Sequence, residues 1–205
     1  GAGLGPTAGK ATPSDAAKPN LEKEKKKDVW SDEGLVLESD AGVDYSLLQK
    51  ELKAGNWELA DNEHRRLLCE LAGEEAAERK WVYFTEIAAI PEKDMKMLDT
   101  LWLTYSKGRY GFSVQRKVWK ACKCRWADFF KKIDWVQGEN MAYRKWPEEF
   151  KWEADSAEGH LPLTNALRGT QLFEAVMMHP AFDDTKKKAE AKKAVTENNS
   201  AGSYL

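Results

Sequence analysis

The stretch that decides the fold class is residues 44–73, DYSLLQKELKAGNWELADNEHRRLLCELAG. In its first part, Leu48 and Leu52 are four residues apart, a spacing that places both side chains on one face of an α-helix. Asp44 is a favoured residue for capping the start of a helix, and Gly55 is a typical residue for ending one. These residues predict a first helix that Asp44 caps and that ends at Gly55.

A second helix is predicted directly after the first. Asn56 is a favoured N-cap, the residues that follow show helical apolar spacing from Trp57 onward, and Gly73 ends the pattern. Only Gly55 and Asn56 separate the two helices, so we expect them to form a two-helix hairpin.

Apolar spacing predicts helices across most of the remaining chain. Residues 74–80 form a charged third helix that runs into WVYF at 81–84, which is either a buried helix end or a short strand. Residues 134–162 lose the helical period, and their glycines and prolines exclude one long helix. Four more helices are predicted: one that starts at Pro91 and stops at Gly108, one that Ser113 caps, one from Arg125 to Ile133, and one that Thr164 caps, from Asn165 to Met178.

These elements predict an all-α fold in a single compact domain with about seven or eight helices. We expect the domain to span residues 39–182, which is long enough to bury a hydrophobic core. Residues 1–38 are rich in Gly, Ala, Pro and Lys and have little apolar patterning, so we expect them to be disordered. The lysine-rich residues 183–205 are expected to be a flexible tail.

Composition excludes some classes of protein. The formal net charge is only -2 and the isoelectric point is about 6.0, so the chain lacks the overall basic field that drives nucleic-acid binding. The basic run from Arg116 to Arg125, with Lys131-Lys132, leaves nucleic-acid binding as a weaker alternative. Three cysteines without a framework spacing indicate a reducing compartment, and no apolar run is long enough for a membrane span, so we expect a soluble protein.

The aromatic residues suggest a pocket for a flat, apolar ligand. Six of the nine tryptophans lie between Leu101 and Phe182, and Trp146 and Phe150 lie in the irregular segment. One interpretation is that Trp146 and Phe150 plug the core beneath a loop. The other is that they form a hydrophobic lid over a planar ligand, which explains why a long loop is kept ordered.

An anion site is predicted at the start of the last helix. Asn165 and Arg168 are three residues apart, which places them on one face of a first helical turn. Helix N-termini attract anions, and a guanidinium matches the geometry of a carboxylate. The alternative is that Arg168 pairs with a surface acid and that Asn165 only extends the cap.

Residues for catalysis are not apparent in the sequence. His64, His160 and His179 are scattered and have no metal-ligand spacing to a cysteine or acidic cluster, so we interpret them as structural. The chain has no glycine-rich phosphate loop, no nucleophile elbow and no pair of carboxylates whose spacing suggests catalysis. We therefore expect a protein that is not an enzyme and that has no metal site.

Three blocks of sequence resemble a known family. They are Leu101–Gln115 with its YSKGRYGFSVQ run, Trp126–Trp135, and Gly159–Thr170, which reads GHLPLTNALRGT. The chain is similar to the "genomes uncoupled" family of porphyrin-binding regulators of magnesium chelatase, found in oxygenic phototrophs. The likeness extends from about Val43 to Phe182. The lysine-rich stretch ahead of Val43 resembles the plant or algal plastid form, because cyanobacterial relatives usually carry another helical domain there.

The resemblance implies a cupped helical domain that binds protoporphyrin IX and magnesium protoporphyrin IX in its concave face. It also implies an activator of magnesium chelatase in chlorophyll biosynthesis, acting through the large porphyrin-binding subunit, with a role in plastid tetrapyrrole signalling. Such a protein is a monomer in the chloroplast stroma that also associates peripherally with plastid membranes. The porphyrin is an exchangeable ligand and not a permanently bound cofactor.

The resemblance also implies the residues of the pocket. A porphyrin is an apolar disc with two propionates, so it requires apolar walls and a cationic rim. The family's pocket includes the loop before the Pro91 helix, the segment around Trp146 and the start of the last helix. Carried onto this chain, the positions are Ile87, Ile90, Trp146, Phe150, Asn165 and Arg168.

A helical adaptor without a ligand is the alternative, in which the aromatic groove recognises a protein partner. The two hypotheses differ in what Arg168 does. An adaptor can tolerate Arg168→Ala, whereas a porphyrin site loses affinity for a ligand that carries propionates.

Overall fold

A computed structural model of the protein describes residues 29–164 and 169–183. Over these residues the fold is helical, as predicted, with seven α-helices, two 3₁₀ helices and one small antiparallel sheet. The α-helices are α1 (Ser46–Ala54), α2 (Trp57–Ala72), α3 (Glu74–Arg79), α4 (Glu92–Tyr105), α5 (Phe112–Ala121), α6 (Trp126–Lys132) and α7 (Gln171–Met177). The 3₁₀ helices are Phe84–Ala89 and Pro180–Phe182, and the strands are β1 (Val136–Gln137) and β2 (Ala142–Tyr143).

The α1–α2 hairpin forms as predicted, with one difference at its turn. Gly55 adopts a left-handed conformation with φ of 74°, and the N–H of Asn56 donates to the Glu51 carbonyl at 2.9 Å, which closes α1. The Asn56 side chain does not cap α2, because its amide donates instead to the Glu51 carboxylate at 2.8 Å. This bond fastens the two helices together across the turn.

Helix α4 lies at the centre of the core. Met95, Leu98 and Trp102 are buried on it, in agreement with the predicted apolar face. The Trp102 indole N–H donates to Nδ1 of His64 at 3.1 Å, and the ring stacks on Trp57 with centroids 6.3 Å apart. These contacts join α4 to α2 and place His64 in the core, where desolvation lowers its pKa to about 3.

A second aromatic cluster joins α6, α7 and the chain after α6. The rings of Trp135 and Phe173 are almost parallel, with an interplanar angle of 9° and centroids 5.3 Å apart. Phe130 stacks on Trp135 at 5.8 Å, and Phe129 is buried beside Phe173. Most of the tryptophan-rich segment is therefore packing, in line with the general rule for aromatic side chains.

The predicted cap of α5 is wrong. Ser113 lies inside the helix, which begins at Phe112, and its N–H donates to Oδ1 of Asp99 at 2.9 Å. The acceptor comes from α4, so a contact between distant residues replaces the local cap. Gly111 is required beside it, because its φ is 133° and a Cβ there would lie 2.7 Å from the same Asp99 oxygen.

The run at 81–84 is neither a buried helix end nor a strand. Phe84 begins a 3₁₀ helix, and Trp81, Tyr83 and Phe84 are exposed. The guanidinium of Arg79 covers the Tyr83 ring at 4.1 Å from its centroid. The same guanidinium carbon lies 5.4 Å from the Trp81 ring centroid, and the three large side chains face solvent.

The last helix begins later than predicted. Gly169 has φ of 111° and Thr170 is not helical, so α7 starts at Gln171, and a continuous helix over 165–178 is wrong. Gly169 interrupts the helix at this point because glycine adopts positive φ without steric cost. The predicted first turn, with Asn165 and Arg168, lies outside the described residues.

The segment before α1 packs on the helical domain. Asp32 forms an ion pair with Lys53 at 2.7 Å, and the Trp30 ring lies directly on Gly108. The buried carboxylate of Asp94 accepts hydrogen bonds from Ser39, from the backbone N–H groups of 40 and 41, and from the Tyr45 hydroxyl at 2.7 Å. Packed structure therefore extends to the N-terminal side of residue 39, while residues 1–28 lie outside the described range.

The irregular segment 134–162 contains the one departure from an all-helical fold within the described residues. Val136 pairs with Tyr143 and Gln137 with Ala142 across a two-residue antiparallel ladder.

Within residues 29–164 and 169–183, no helix is long and apolar enough to cross a membrane.

Candidate functional site

Trp146 lies at the tip of a loop, residues 144–152, which we call the Trp146 loop. Its side chain is 51% exposed, the highest exposure of any tryptophan among the described residues. The loop closes on itself beneath the ring: the Lys145 N–H donates to the Glu149 carboxylate at 2.7 Å, and the Trp152 indole N–H donates to the Pro147 carbonyl at 3.1 Å. The loop therefore presents one large aromatic face to solvent.

The base of the Trp146 loop is held by Asp134. Arg144 and Lys151, at the two ends of the loop, each place a nitrogen 2.6 Å from an Asp134 carboxylate oxygen. Partial burial acts to raise the pKa of Asp134, but hydrogen bonds from Arg144 and Lys151 outweigh it and hold the pKa below its ordinary value. The loop ends are thus fixed by a charge-assisted network.

Phe150 packs on the inner side of the loop. It meets Trp135 edge to face at 6.1 Å and lies 5.7 Å from the His160 ring. His160 accepts a hydrogen bond from the Lys151 N–H at Nε2, so it is Nδ1 that donates to the Ile133 carbonyl at 2.7 Å. Desolvation lowers the pKa of His160, which keeps this bridge neutral. The structure therefore separates the predicted pair: Phe150 is packed against the core, and Trp146 is exposed.

Arg65 on α2 contacts the exposed ring. Its guanidinium carbon lies 4.6 Å from the Trp146 ring centroid, a cation–π geometry. The Nε of Arg65 lies 3.2 Å from Oδ2 of Asp61, which is completely buried. The other Asp61 oxygen accepts the N–H of Leu163 at 2.7 Å. Asp61 and Arg65 thereby link the Trp146 loop to the chain that leads into residues 165–168.

Burial makes Asp61 an unusual carboxyl group. Desolvation raises its pKa to about 7, although Arg65 and the Leu163 N–H oppose the shift. Sequence reasoning missed both Asp61 and Arg65. A signal was present, because Asp61 lies four residues after Trp57 and three before His64, on the apolar face of α2.

A groove beside Arg65 has the size of a small-molecule site. Its volume is about 540 Å³, within the range of ligand pockets. It runs between α2 and α3 and has a basic rim over a small apolar floor. We call it the Arg65 groove, and its lining residues are Asn62, Arg65, Arg66, Cys69, Glu70, Ala77 and Lys80.

The exposed aromatic run 81–84 follows Lys80 at one end of this groove. Glu86 fixes its backbone, because the carboxylate accepts the Tyr83 N–H at 2.7 Å and pairs with Arg79 at 2.7 Å. These two interactions lower the pKa of Glu86, the backbone hydrogen bond being the larger cause. The aromatic side chains are therefore displayed on a fixed backbone. They add apolar surface next to the cationic rim.

Ile87 and Ile90 are placed differently from the exposed rings. They are 1% and 2% exposed, and α7 packs against the 3₁₀ helix that carries Ile87. His179 donates from Nε2 to the Ile90 carbonyl at 3.0 Å, which fixes the end of this segment. Both isoleucines belong to the buried core of the domain. Their direct contact with a ligand stays a prediction.

Asn165 and Arg168 lie outside the described residues, so the anion site at these positions also stays a prediction. The chain immediately before this gap is held in the core. Leu163 and Thr164 are buried, and Leu163 is tied to Asp61 on α2. The described chain on this side of the gap is therefore bonded to the residue that pairs with Arg65.

Side chains suitable for metal ligation are dispersed. Among the described residues, no group of three or more His, Cys, Asp or Glu side chains is arranged to hold a metal ion. The three histidines are buried, and His160 and His179 use both ring nitrogens in hydrogen bonds to the backbone. These two histidines therefore brace the backbone of the core.

Known proteins are similar to this chain in sequence. The chain is 44% identical over 145 residues to the "Tetrapyrrole-binding protein, chloroplastic" of Arabidopsis thaliana, covering 67% of this chain and 55% of that protein. It is 40% identical over 146 residues to the "Ycf53-like protein" of a Synechocystis strain, covering 71% of this chain and 62% of the relative. The chain thus spans somewhat more than half the length of these relatives.

Two solved structures resemble it as well. The structure of GUN4 from Chlamydomonas reinhardtii has a TM-score of 0.69 and 49% identity, over 74% of this chain and 97% of that one. Ligand-free GUN4 of Arabidopsis thaliana has a TM-score of 0.64 and 43% identity, over 69% of this chain and 99% of that one. The family model described as GUN4-like matches residues 38–180. With this match added to the helical fold and the aromatic site, the chain belongs to the GUN4-like family.

Proposed function

We propose that this chain binds a tetrapyrrole, with protoporphyrin IX and magnesium protoporphyrin IX as its ligands. The observation that carries the proposal is the exposed ring of Trp146, supported by a fixed loop and backed by the Arg65 guanidinium at 4.6 Å. A large aromatic face beside a cation is suited to a planar ring with carboxylate substituents. The name of the Arabidopsis relative, a tetrapyrrole-binding protein, supports the same ligand class.

Each part of the proposed site has a separate task. Trp146 supplies an exposed aromatic wall and Phe150 contributes from the inner side of the loop, while Ile87 and Ile90 support the opposite apolar surface. Asn165 and Arg168 bind a propionate, and the Arg65 guanidinium adds a second positive charge near Trp146. Covering about 150 Å² of apolar surface contributes roughly 4 kcal/mol before the costs of ordering the loop and ligand.

The site requires no protein ligand to the central metal. Magnesium prefers oxygen ligands and retains water, so magnesium protoporphyrin can bind here through its ring face and its propionates. The buried histidines keep their hydrogen bonds to the core in this arrangement. Metal-free and magnesium porphyrins are therefore both compatible with the proposed contacts.

We further propose that the chain activates magnesium chelatase in chlorophyll biosynthesis without being the catalyst. In this role it presents the porphyrin to the large porphyrin-binding subunit, in the chloroplast stroma or at the surface of plastid membranes, and takes part in tetrapyrrole signalling. The chloroplastic Arabidopsis relative supports the location. The test is a reconstituted chelatase assay in which adding the chain raises the rate of magnesium insertion at limiting porphyrin.

Tryptophan fluorescence tests ligand binding directly. The purified chain is titrated with deuteroporphyrin and with its magnesium form, with the Soret absorbance shift as a second readout. Arg168→Ala is expected to weaken binding about tenfold or more, because a charge-assisted hydrogen bond to a propionate is lost. Arg125→Ala is the matched control, since Arg125 is an exposed arginine that pairs locally with Asp128.

The adaptor alternative makes the opposite prediction. A helical adaptor gives no saturable quenching with either porphyrin, and its Arg168→Ala variant behaves like the wild type. Equal losses of affinity in Arg168→Ala and Arg125→Ala would also count against the proposed site, because they would indicate a nonspecific effect of net charge.

A further inference from the structure

A second cleft lies between α4 and α5 and shares no residue with the Trp146 loop or the Arg65 groove. It has a volume of about 550 Å³. Its walls are mostly the polar faces of the two helices, and the 3₁₀ helix Pro180–Phe182 closes one side. We call it the α4–α5 cleft, and it is lined by Lys96, Asp99, Thr100, Leu103, Ser113, Arg116, Lys117, Lys120, Ala181 and Phe182.

Four cations line this cleft, and their positive charge is only weakly balanced. Lys96 is 3.9 Å from Glu92, and Lys117 is 3.4 Å from Glu158, both long, exposed ion pairs of small energetic value. Lys120 has no ion pair among the described residues. The side chains of the three lysines are exposed and available to an anion.

The one acid in the lining does little to offset these cations. Asp99 is buried, and its Oδ1 accepts the N–H of Ser113 at the start of α5. Its charge therefore faces the positive end of the helix dipole rather than the open cleft. Arg116 is fixed on the opposite wall, where its guanidinium donates to the Met177 carbonyl. The cleft is thus a positively charged depression.

The floor of the cleft is apolar. Leu103 comes from α4, and Ala181 and Phe182 come from the 3₁₀ helix after α7. Phe182 is held in place by contacts with the rings of Phe112 and His179, at 6.2 and 6.4 Å. A ligand that fits this cleft therefore combines negative charges with at least one apolar group.

We propose that the α4–α5 cleft docks an acidic segment of a partner protein, in which an apolar side chain is flanked by carboxylates. The lining residues of α4 extend from Lys96 to Leu103, a distance of seven residues or about 10 Å, and the other three cations lie on α5. Three residues of an extended peptide span about the same length. The carboxylates pair with the lysines and Arg116, and the apolar side chain contacts Leu103 and Phe182.

Other occupants fit the charges and shape less well. A small anion makes weak contacts with exposed lysines, whereas several carboxylates on one peptide add their contributions. Nucleic acid is disfavoured because the chain has a net charge of -2 and the only ring in the lining, Phe182, is buried. The chain's own residues 184–205 contain the lysine runs 186–188 and 192–193, which have the wrong charge.

Fluorescence anisotropy with a labelled peptide, Glu-Glu-Leu-Glu-Glu, tests the proposal. The triple variant Lys96→Glu, Lys117→Glu, Lys120→Glu is expected to weaken peptide binding about tenfold or more. The control is Lys50→Glu, Lys131→Glu, Lys132→Glu, which changes the net charge equally at exposed sites outside the cleft. The control is expected to bind within about threefold of wild type. Circular dichroism establishes that both variants are folded.

The apolar floor is tested on the peptide, which avoids a core substitution. Replacing the central leucine of the peptide by alanine is expected to weaken binding to the wild-type chain. Absence of saturable peptide binding, or equal losses in the two triple variants, would overturn the proposal. Displacement of the peptide by a short oligothymidine at lower concentration would overturn it in favour of nucleic acid. Porphyrin titration of the cleft variant is expected to match the wild type, so this test is independent of the tetrapyrrole site.

Discussion

At the scale of single residues, Asp61 gives the protein an unusual response to pH. Burial disfavours the charged form and raises the pKa of Asp61 from its ordinary value of 3.8 to about 7 in the folded protein. At pH values between 3.8 and about 7, Asp61 keeps a proton in the folded state that it releases in the unfolded chain. The contribution of Asp61 to stability is therefore fully present below about pH 4 and is lost as the pH rises to about 7.

Asp61→Asn is expected to remove this part of the pH dependence. The variant cannot titrate at this position. The unfolding free energy of the wild type should therefore fall relative to that of the variant as the pH rises from 4.5 to 7.5. Urea unfolding at several pH values measures it. Asp134→Asn is the control: the pKa of Asp134 is lowered, so its contribution is lost only below about pH 4. A parallel pair of curves for wild type and Asp61→Asn would contradict the assignment.

Trp146→Ala is expected to separate ligand binding from stability. Trp146 is half exposed and its main partner is Arg65, so removing the ring costs roughly 1 kcal/mol of unfolding free energy or less. Porphyrin affinity should fall much further, because the largest exposed wall of the proposed site is lost. Trp152→Ala is the comparison, since Trp152 packs against the core and bonds to the Pro147 carbonyl. Thermal melting and Soret titration on both variants decide between these roles.

At the scale of elements, the start of α5 depends on α4. Gly111 brings the backbone against Asp99, whose carboxylate caps the helix at Ser113. The side chain of Asp99, fourteen positions before Ser113, therefore performs the task that a local N-cap usually performs. This arrangement couples the formation of α5 to the packing of α4.

Gly111→Ala is expected to destabilise the protein by about 1–3 kcal/mol, because it adds strain at φ of 133° and a contact of 2.7 Å with Asp99. Gly55→Ala is the matched control. Gly55 also has positive φ, at 74°, but a Cβ there meets no atom within 4 Å. The control should therefore lose less stability in urea unfolding. Equal losses would show that backbone conformation alone, and not the Asp99 contact, determines the requirement for glycine.

At the scale of the whole molecule, Asp94 fastens the segment before α1 to the core. Its carboxylate is buried and accepts bonds from the backbone N–H groups of Asp40 and Ala41 at 3.0 and 3.2 Å. The Tyr45 hydroxyl donates to it as well. Since α4 lies at the centre of the core, Asp94 makes the N-terminal segment part of the same folded unit.

Asp94→Ala is expected to lower the unfolding free energy by roughly 3 kcal/mol or more, since several buried donors lose a charged acceptor. Hydrogen exchange at the amides of Asp40 and Ala41 should become much faster than in the wild type. Glu92→Gln, an exposed position on the same helix, should leave both measurements close to wild type. Unchanged exchange at these two amides in Asp94→Ala would contradict the proposed role.

Local patterns in the sequence determined most helices and their glycine stops, because helical spacing and positive φ are decided by near neighbours. This accounts for α1, α2, α4 and α6, and the specific run GHLPLTNALRGT pointed to the family. Tertiary structure alone decided the cap of α5 and the partner of Trp146. The bond from Leu163 to Asp61 joins residues 102 positions apart, and only folding brings such groups together. Burial is equally nonlocal: it separates exposed Trp146 from packed Phe150 and raises the pKa of Asp61, because both depend on which other elements cover the residue.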